Sequence, residues 1–199
     1  MTRSSLVQGW PSAKNRVGDA DHIHAIGQIS LVFNFLEEGF GDLFRLMFPA
    51  DASYGEALFH KLSNRDRVDM FSAIVRFHEK EAEVSGRLLD GMRYFDICAD
   101  NRNIVMHSVS QIDDGPSSIL RVAKKAARDS RKMNYYDLSL EDLRRVADET
   151  AETFLFLFKI FMWLEDRAGG KYPETHSLPD RPIQPRVLSP SRPKEARET

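Results

Sequence analysis

"EKEAEVSGRLLDGMRYFDICADNRNIVMH", residues 79–107, is the stretch on which the fold turns. It contains no proline, and Val84, Leu88, Leu89, Met92, Phe95, Ile97, Ile104 and Val105 recur along it. That pattern predicts one long helix ending near His107. Its last turns are polar. Asp96, Asp100, Asn103 and His107 lie four, three and four residues apart and share one helical stripe. Arg102 sits five residues before His107, about 140° away around a regular helix.

The sequence on either side of this segment is also helical. Asp19 or Asp21 can cap an upstream helix whose apolar face runs from Ile23 through Ile29, Phe33, Leu36, Phe40 and Phe44 to Met47, with Pro49 as its stop. A short helix is expected around Tyr54 to Leu62, and Asn64 can cap another that carries Val68, Phe71, Ile74, Val75 and Phe77. Downstream, Asp113-Asp114-Gly115-Pro116 is a turn signal between "HSVSQI" and "SSILRVA", and "MNYYDL" is also β-prone. Ser139, with Asp142 three residues on, opens a last helix from Leu140 to Ala168 that Gly169-Gly170 can stop. The expected fold is all-α: an up-and-down bundle of four to five helices with a small β-hairpin-like excursion before the last one. Residues 1–18 read as a loose N-terminal arm, 19–168 as the helical domain with an insert at about 108–137, and the Pro-rich 169–199 as a tail that is disordered or draped.

Composition narrows the function classes. The chain has 199 residues, 42% of them apolar and 29% charged, which suits one soluble globular domain. A net charge of −2 supplies no global basic field toward nucleic acid or membrane, so a polyanion would need a local patch. The single cysteine, Cys98, excludes an internal disulfide and a cysteine-based zinc cage. It fits a reducing, cytoplasmic setting. The opening residues lack the apolar core of a signal peptide, and the most apolar run, Phe154 to Leu164, is short and contains Lys159. No membrane association is expected, and that run reads as core or as a subunit seam. The Glu-x-x-His pairs of a di-metal carboxylate bundle do not occur, so neither a metal nor a cofactor is implied.

An Arg–His pair at this range is weak by itself, and Arg16 with His22 shows a similar spacing. Asn103 directly after Arg102, at a helix end, is what singles out the later copy. Such a set suits phosphodiester cleavage. Histidine exchanges protons near neutral pH, so His107 can act as general acid/base. Arg102 can hold phosphate oxygens and stabilise developing charge, and Asn103 can position either one. Asp100 and Asp96 are supporting candidates on the same stripe. The plainer alternative pairs Arg102 with Asp96, Asp100 or Glu165 and leaves His107 to the helix carbonyls. The basic run Arg121 to Lys132, with Lys124, Lys125, Arg128, Arg131 and Lys132 followed by Tyr135 and Tyr136, can grip RNA backbone and stack a base, or can be a solvated face.

"RNIVMH", with Arg102, Asn103 and His107 near the end of a long helix, resembles the HEPN superfamily (higher eukaryotes and prokaryotes nucleotide-binding), whose motif is Arg, a polar residue, a few more residues, then His. The specific part is these six residues, and the 108–137 excursion is longer than a minimal member needs. The resemblance implies a metal-independent endoribonuclease acting through 2′-hydroxyl attack, two motifs meeting across a homodimer, and a toxin or defence effector with an antitoxin or other protein partner. Other members are inactive adaptors, so the alternative is a non-catalytic helical dimerisation module that binds a protein or nucleotide.

Overall fold

The computed structural model describes residues 20–48, 52–107, 109–110, 119–126, 129–170 and 177–191. Five helices, α1 (Ala20–Met47), α2 (Ala52–Phe59), α3 (Asn64–His78), α4 (Ala82–His107) and α5 (Leu140–Ala168), account for most of them. Between α4 and α5 lies an antiparallel sheet of three strands in the order β1-β2-β3: β1 (Val109–Ser110), β2 (Ile119–Ala126) and β3 (Asp129–Ser139). The expected β excursion is therefore a three-stranded sheet with one very short strand. The expected N-terminal arm lies outside the described residues.

Local chemistry explains most boundaries. At α5 the Ser139 hydroxyl accepts from the Asp142 N–H at 3.1 Å, and the Asp142 carboxylate accepts from the Ser139 N–H at 3.1 Å. This capping box is the one read from the sequence. At α3 the cap is Ser63, one residue before the expected Asn64. The first helix starts at Ala20, so of the two expected caps Asp21 lies inside it and Asp19 lies outside the described residues; Ile23 of the expected apolar face is exposed. The long fourth helix starts at Ala82 rather than at Glu79, because Glu79 closes α3 with its N–H on the Val75 carbonyl. Its carboxylate meets Arg167 of α5 at 2.6 Å.

The core has two parts. One is aromatic, with Phe40, Phe44, Phe59, Phe71 and Phe95 packed edge-on between α1, α2, α3 and α4. Burying each large side chain contributes about 1.5–3 kcal/mol. The other joins the start of α1 and the end of α4 to the sheet, through Ala25, Ile29, Ile104, Val105, Leu120, Val122, Tyr136, Leu138, Leu143 and Val146. α4 approaches α5 closely at Gly91, where an added Cβ would overlap Leu157. Of the two behaviours expected for the tail, residues 177–191 take the second: they drape along α4 and α5. Pro179, Pro185 and Leu188 are buried there. Among the described residues no helix is long and apolar enough to cross a membrane.

Candidate active site

The polar end of α4 is held by its own apolar residues. Within R-N-x-x-x-H the intervening Ile104 and Val105 are buried under the sheet and Met106 packs at their edge. This fixes the last turns of the helix as regular backbone. Arg102 and Asn103 are left half-buried and His107 exposed.

The 140° separation of Arg102 and His107 is bridged by the length of the arginine arm. Arg102 Nη1 lies 2.9 Å from His107 Nε2 and 3.2 Å from the Asn103 side-chain oxygen. A guanidinium has only donors, so a hydrogen bond in this contact requires Nε2 as the acceptor. Arg102 also lies over the ring of Phe33 from α1, with Cζ 5.6 Å from the centroid. That aromatic face adds a cation–π attraction and limits where the guanidinium can swing. No carboxylate pairs with Arg102 among the described residues, so Asp96, Asp100 and Glu165 do not seal it. Its Nε is buried without a hydrogen-bond partner, and its Nη2 has no protein partner among the described residues. Nη2 is therefore the donor left for an oxyanion.

Asp100 and Asp96 share the stripe with His107 but make no hydrogen bond to it among the described residues. They face α3. Burial raises the Asp96 carboxyl above its ordinary range, and the charges of Asp100 and Asp69 add to this while Arg65 opposes it. Asn103 touches Arg102 rather than the imidazole, so it acts on the ring only through the guanidinium. Cys98 is buried, with its thiol 3.6 Å from the Thr153 hydroxyl, and burial pushes it up to about 11. That is an inert core thiol. Among the described residues no group of three or more His, Cys, Asp and Glu side chains is placed to hold a metal ion.

Comparison with family models, with curated proteins and with solved structures finds no match. The reading of the site rests on its own geometry.

The basic run lies on the sheet that follows the motif. Val109, two residues after His107, pairs with Ala123 of β2, and Lys124 pairs with Asn134 of β3. Lys125 belongs to β2, and Arg131 and Lys132 to β3, while Arg128 lies outside the described residues. Arg121 is tied across the strands to Asp137 at 2.5 Å. Of the two tyrosines offered as base-stacking groups, Tyr136 is core and Tyr135 is exposed.

Two features escaped sequence reasoning. Phe33 under Arg102 is one apolar residue in a regular helical stripe, and nothing local marks it. Asn101 is almost sealed, at 1% exposure. Its amide donates to the Arg186 carbonyl and accepts from the Leu188 N–H, both at 2.8 Å. An asparagine between charged neighbours gives no such signal, although an amide is the side chain able to do both at once.

Proposed function

We propose that the chain is a metal-independent ribonuclease of the HEPN kind that cleaves RNA by attack of the 2′-hydroxyl. The observation that carries this reading is the contact of Arg102 Nη1 with His107 Nε2 at 2.9 Å, at an exposed helix end beside a basic sheet. A substrate phosphate draws the guanidinium from the imidazole. Nε2 then takes the 2′-hydroxyl proton as the 2′-oxygen attacks phosphorus, and Arg102 stabilises the charge on the non-bridging oxygens. The 5′-oxygen leaves with a proton from the same histidine of a second copy in a homodimer, giving a 2′,3′-cyclic phosphate and a 5′-hydroxyl. Asn103 holds Arg102 in reach, and Lys124, Lys125, Arg131 and Lys132 guide the RNA. A toxin or defence effector in the cytoplasm, with an antitoxin as protein partner, is the role this activity suits. RNA cleavage is assayed in EDTA with wild type, His107→Ala and Arg102→Ala. Activity that survives both substitutions ends this reading.

A second reading, a non-catalytic dimerisation module, is favoured by an exposed aromatic ridge. Phe35 of α1 lies 6.0 Å from Phe154 of α5, which lies 5.9 Å from Phe158. Phe35 and Phe158 are 59% and 42% exposed, with Leu31 and Leu155 beside them. If Phe35→Glu abolishes a partner complex while wild type cuts no RNA, the module stands and the enzyme falls.

A further inference from the structure

Residues 179–188, PDRPIQPRVL, carry Pro179, Pro182, Pro185 and Leu188 at every third position. These are the positions turned toward the protein: Pro179, Pro185 and Leu188 are buried and Pro182 half-buried. Residues between them stay out, with Ile183 84% and Val187 58% exposed. A burial period of three, without helix or strand, matches the left-handed polyproline II helix, which has three residues per turn.

The surface that holds this segment reads its backbone and its charge. Arg87 donates to the Pro179 carbonyl at 2.6 Å. The Asn101 amide brackets Val187 by taking the 186 carbonyl and the 188 N–H, and Arg145 adds a second donor to the 186 carbonyl at 3.3 Å. Glu149 accepts from the Arg186 N–H at 3.0 Å and from its Nε at 3.3 Å. Asp90 takes Arg181 Nε at 2.5 Å, beside Gly86, where a Cβ would come within 3.1 Å of the guanidinium. Past the prolines, Ser191 donates its N–H to the Tyr135 carbonyl and its hydroxyl oxygen accepts from the Asp137 N–H, both at 2.7 Å, on the free edge of β3. The inward positions 179, 182 and 185 are prolines, which have no N–H to leave unsatisfied. The inward N–H that does exist, at Leu188, is the one Asn101 takes.

We propose that the face formed by α4 and α5 is a recognition site for extended peptides of the pattern P-x-R-P-x-x-P-R-x-L. The chain's own 179–188 segment is its cis ligand, which an external peptide of that pattern displaces. The prolines pre-set the extended form, so little chain freedom is lost on docking. Asp90 and Glu149 select the two arginines, and the other outward positions are unread.

The test uses the full chain with a protease recognition sequence in place of residues 171–176. After cutting, the fragment from residue 177 onward is expected to co-elute with the body and to be displaced by excess synthetic 177–191 peptide. The fluorescent peptide should then bind saturably. Versions carrying Arg186→Ala or Pro185→Gly should bind at least tenfold more weakly, and a scrambled peptide should not compete. Because these changes lie in the peptide, the folding of the body is constant throughout. Equal competition by the scrambled peptide, or a cut body that binds no peptide, overturns the proposal.

Discussion

Arg102 Nη1 and His107 Nε2 stand 2.9 Å apart although five residues separate them on an unbroken helix. The contact exists because the arginine arm curls around the helix while Ile104 and Val105 anchor the backbone beneath it. His107 is exposed, so His107→Ala should change stability by no more than about 0.5 kcal/mol. If His107 is the general acid/base of the proposed ribonuclease, its loss should lower RNA cleavage by about 10²–10⁴-fold. Thermal unfolding and cleavage of the same preparation separate the two effects.

Phe33 supports Arg102 from α1, and its substitution reads out that support. Phe33→Leu should cost about 1–2 kcal/mol of stability from lost core volume, plus the cation–π attraction that restrains the guanidinium. Cleavage should fall in the wild-type background and show no further loss in Arg102→Ala. A double-mutant cycle on turnover checks this. Equal losses in both backgrounds would mean that Phe33 matters only as core.

The helices were legible because their signals are local. Pro49 after α1, Ser139 with Asp142 before α5, and Gly169-Gly170 after it act on the backbone within a few residues. The start of α4 was not legible, since Glu79 is drawn out of the helix by Arg167, which lies 88 residues away in the chain. The tail's composition left open whether it is disordered or draped, since docking depends on Asn101, Glu149 and Asp90, whose sequence context looks like ordinary solvated helix. The three-residue recurrence of proline at 179, 182 and 185 was the available clue. At the site, the pairing of Arg102 with His107 was legible as a motif. Its support was not, because Phe33 comes from another helix and the imidazole's partner proved to be Arg102 rather than Asp100 or Asn103.

Asp96 is a carboxylate in an unfavourable place. Its pKa is raised from the ordinary 3.8 by burial first and then by Asp100 and Asp69. A raised carboxyl favours the fold only while protonated, so the penalty is fully present at neutral pH and absent below 3.8, where both folded and unfolded chains are protonated. Asp96→Asn should therefore stabilise the protein at pH 7, by about 0.5 kcal/mol given solvent screening. The gain should shrink in salt and vanish in acid. Urea midpoints across pH decide it, and a gain that is constant with pH would refute the electrostatic origin.

Glu79 is the opposite case. Burial pushes its carboxyl up, but the Arg167 hydrogen bond, the Glu81 and Lys80 backbone N–H groups and the Arg167 charge together outweigh burial, and the net shift is downward from 4.5. Arg167 is itself set over Trp163 at 5.0 Å and bonded to Glu81 at 3.2 Å, so the guanidinium is already ordered when Glu79 meets it. A depressed carboxyl stabilises the fold above its unfolded value, and that stability is lost as pH falls through the lower folded value. Glu79→Gln keeps an acceptor for the Glu81 N–H but removes the charge. It should cost about 1 kcal/mol at pH 7, allowing for screening at a partly exposed pair. The wild-type advantage should be flat down to about pH 5 and close below 4.5. Denaturation midpoints of both proteins over this range test it. A difference that persists undiminished at pH 3 would show that packing, not the ionised pair, ties the α3–α4 junction to the end of α5.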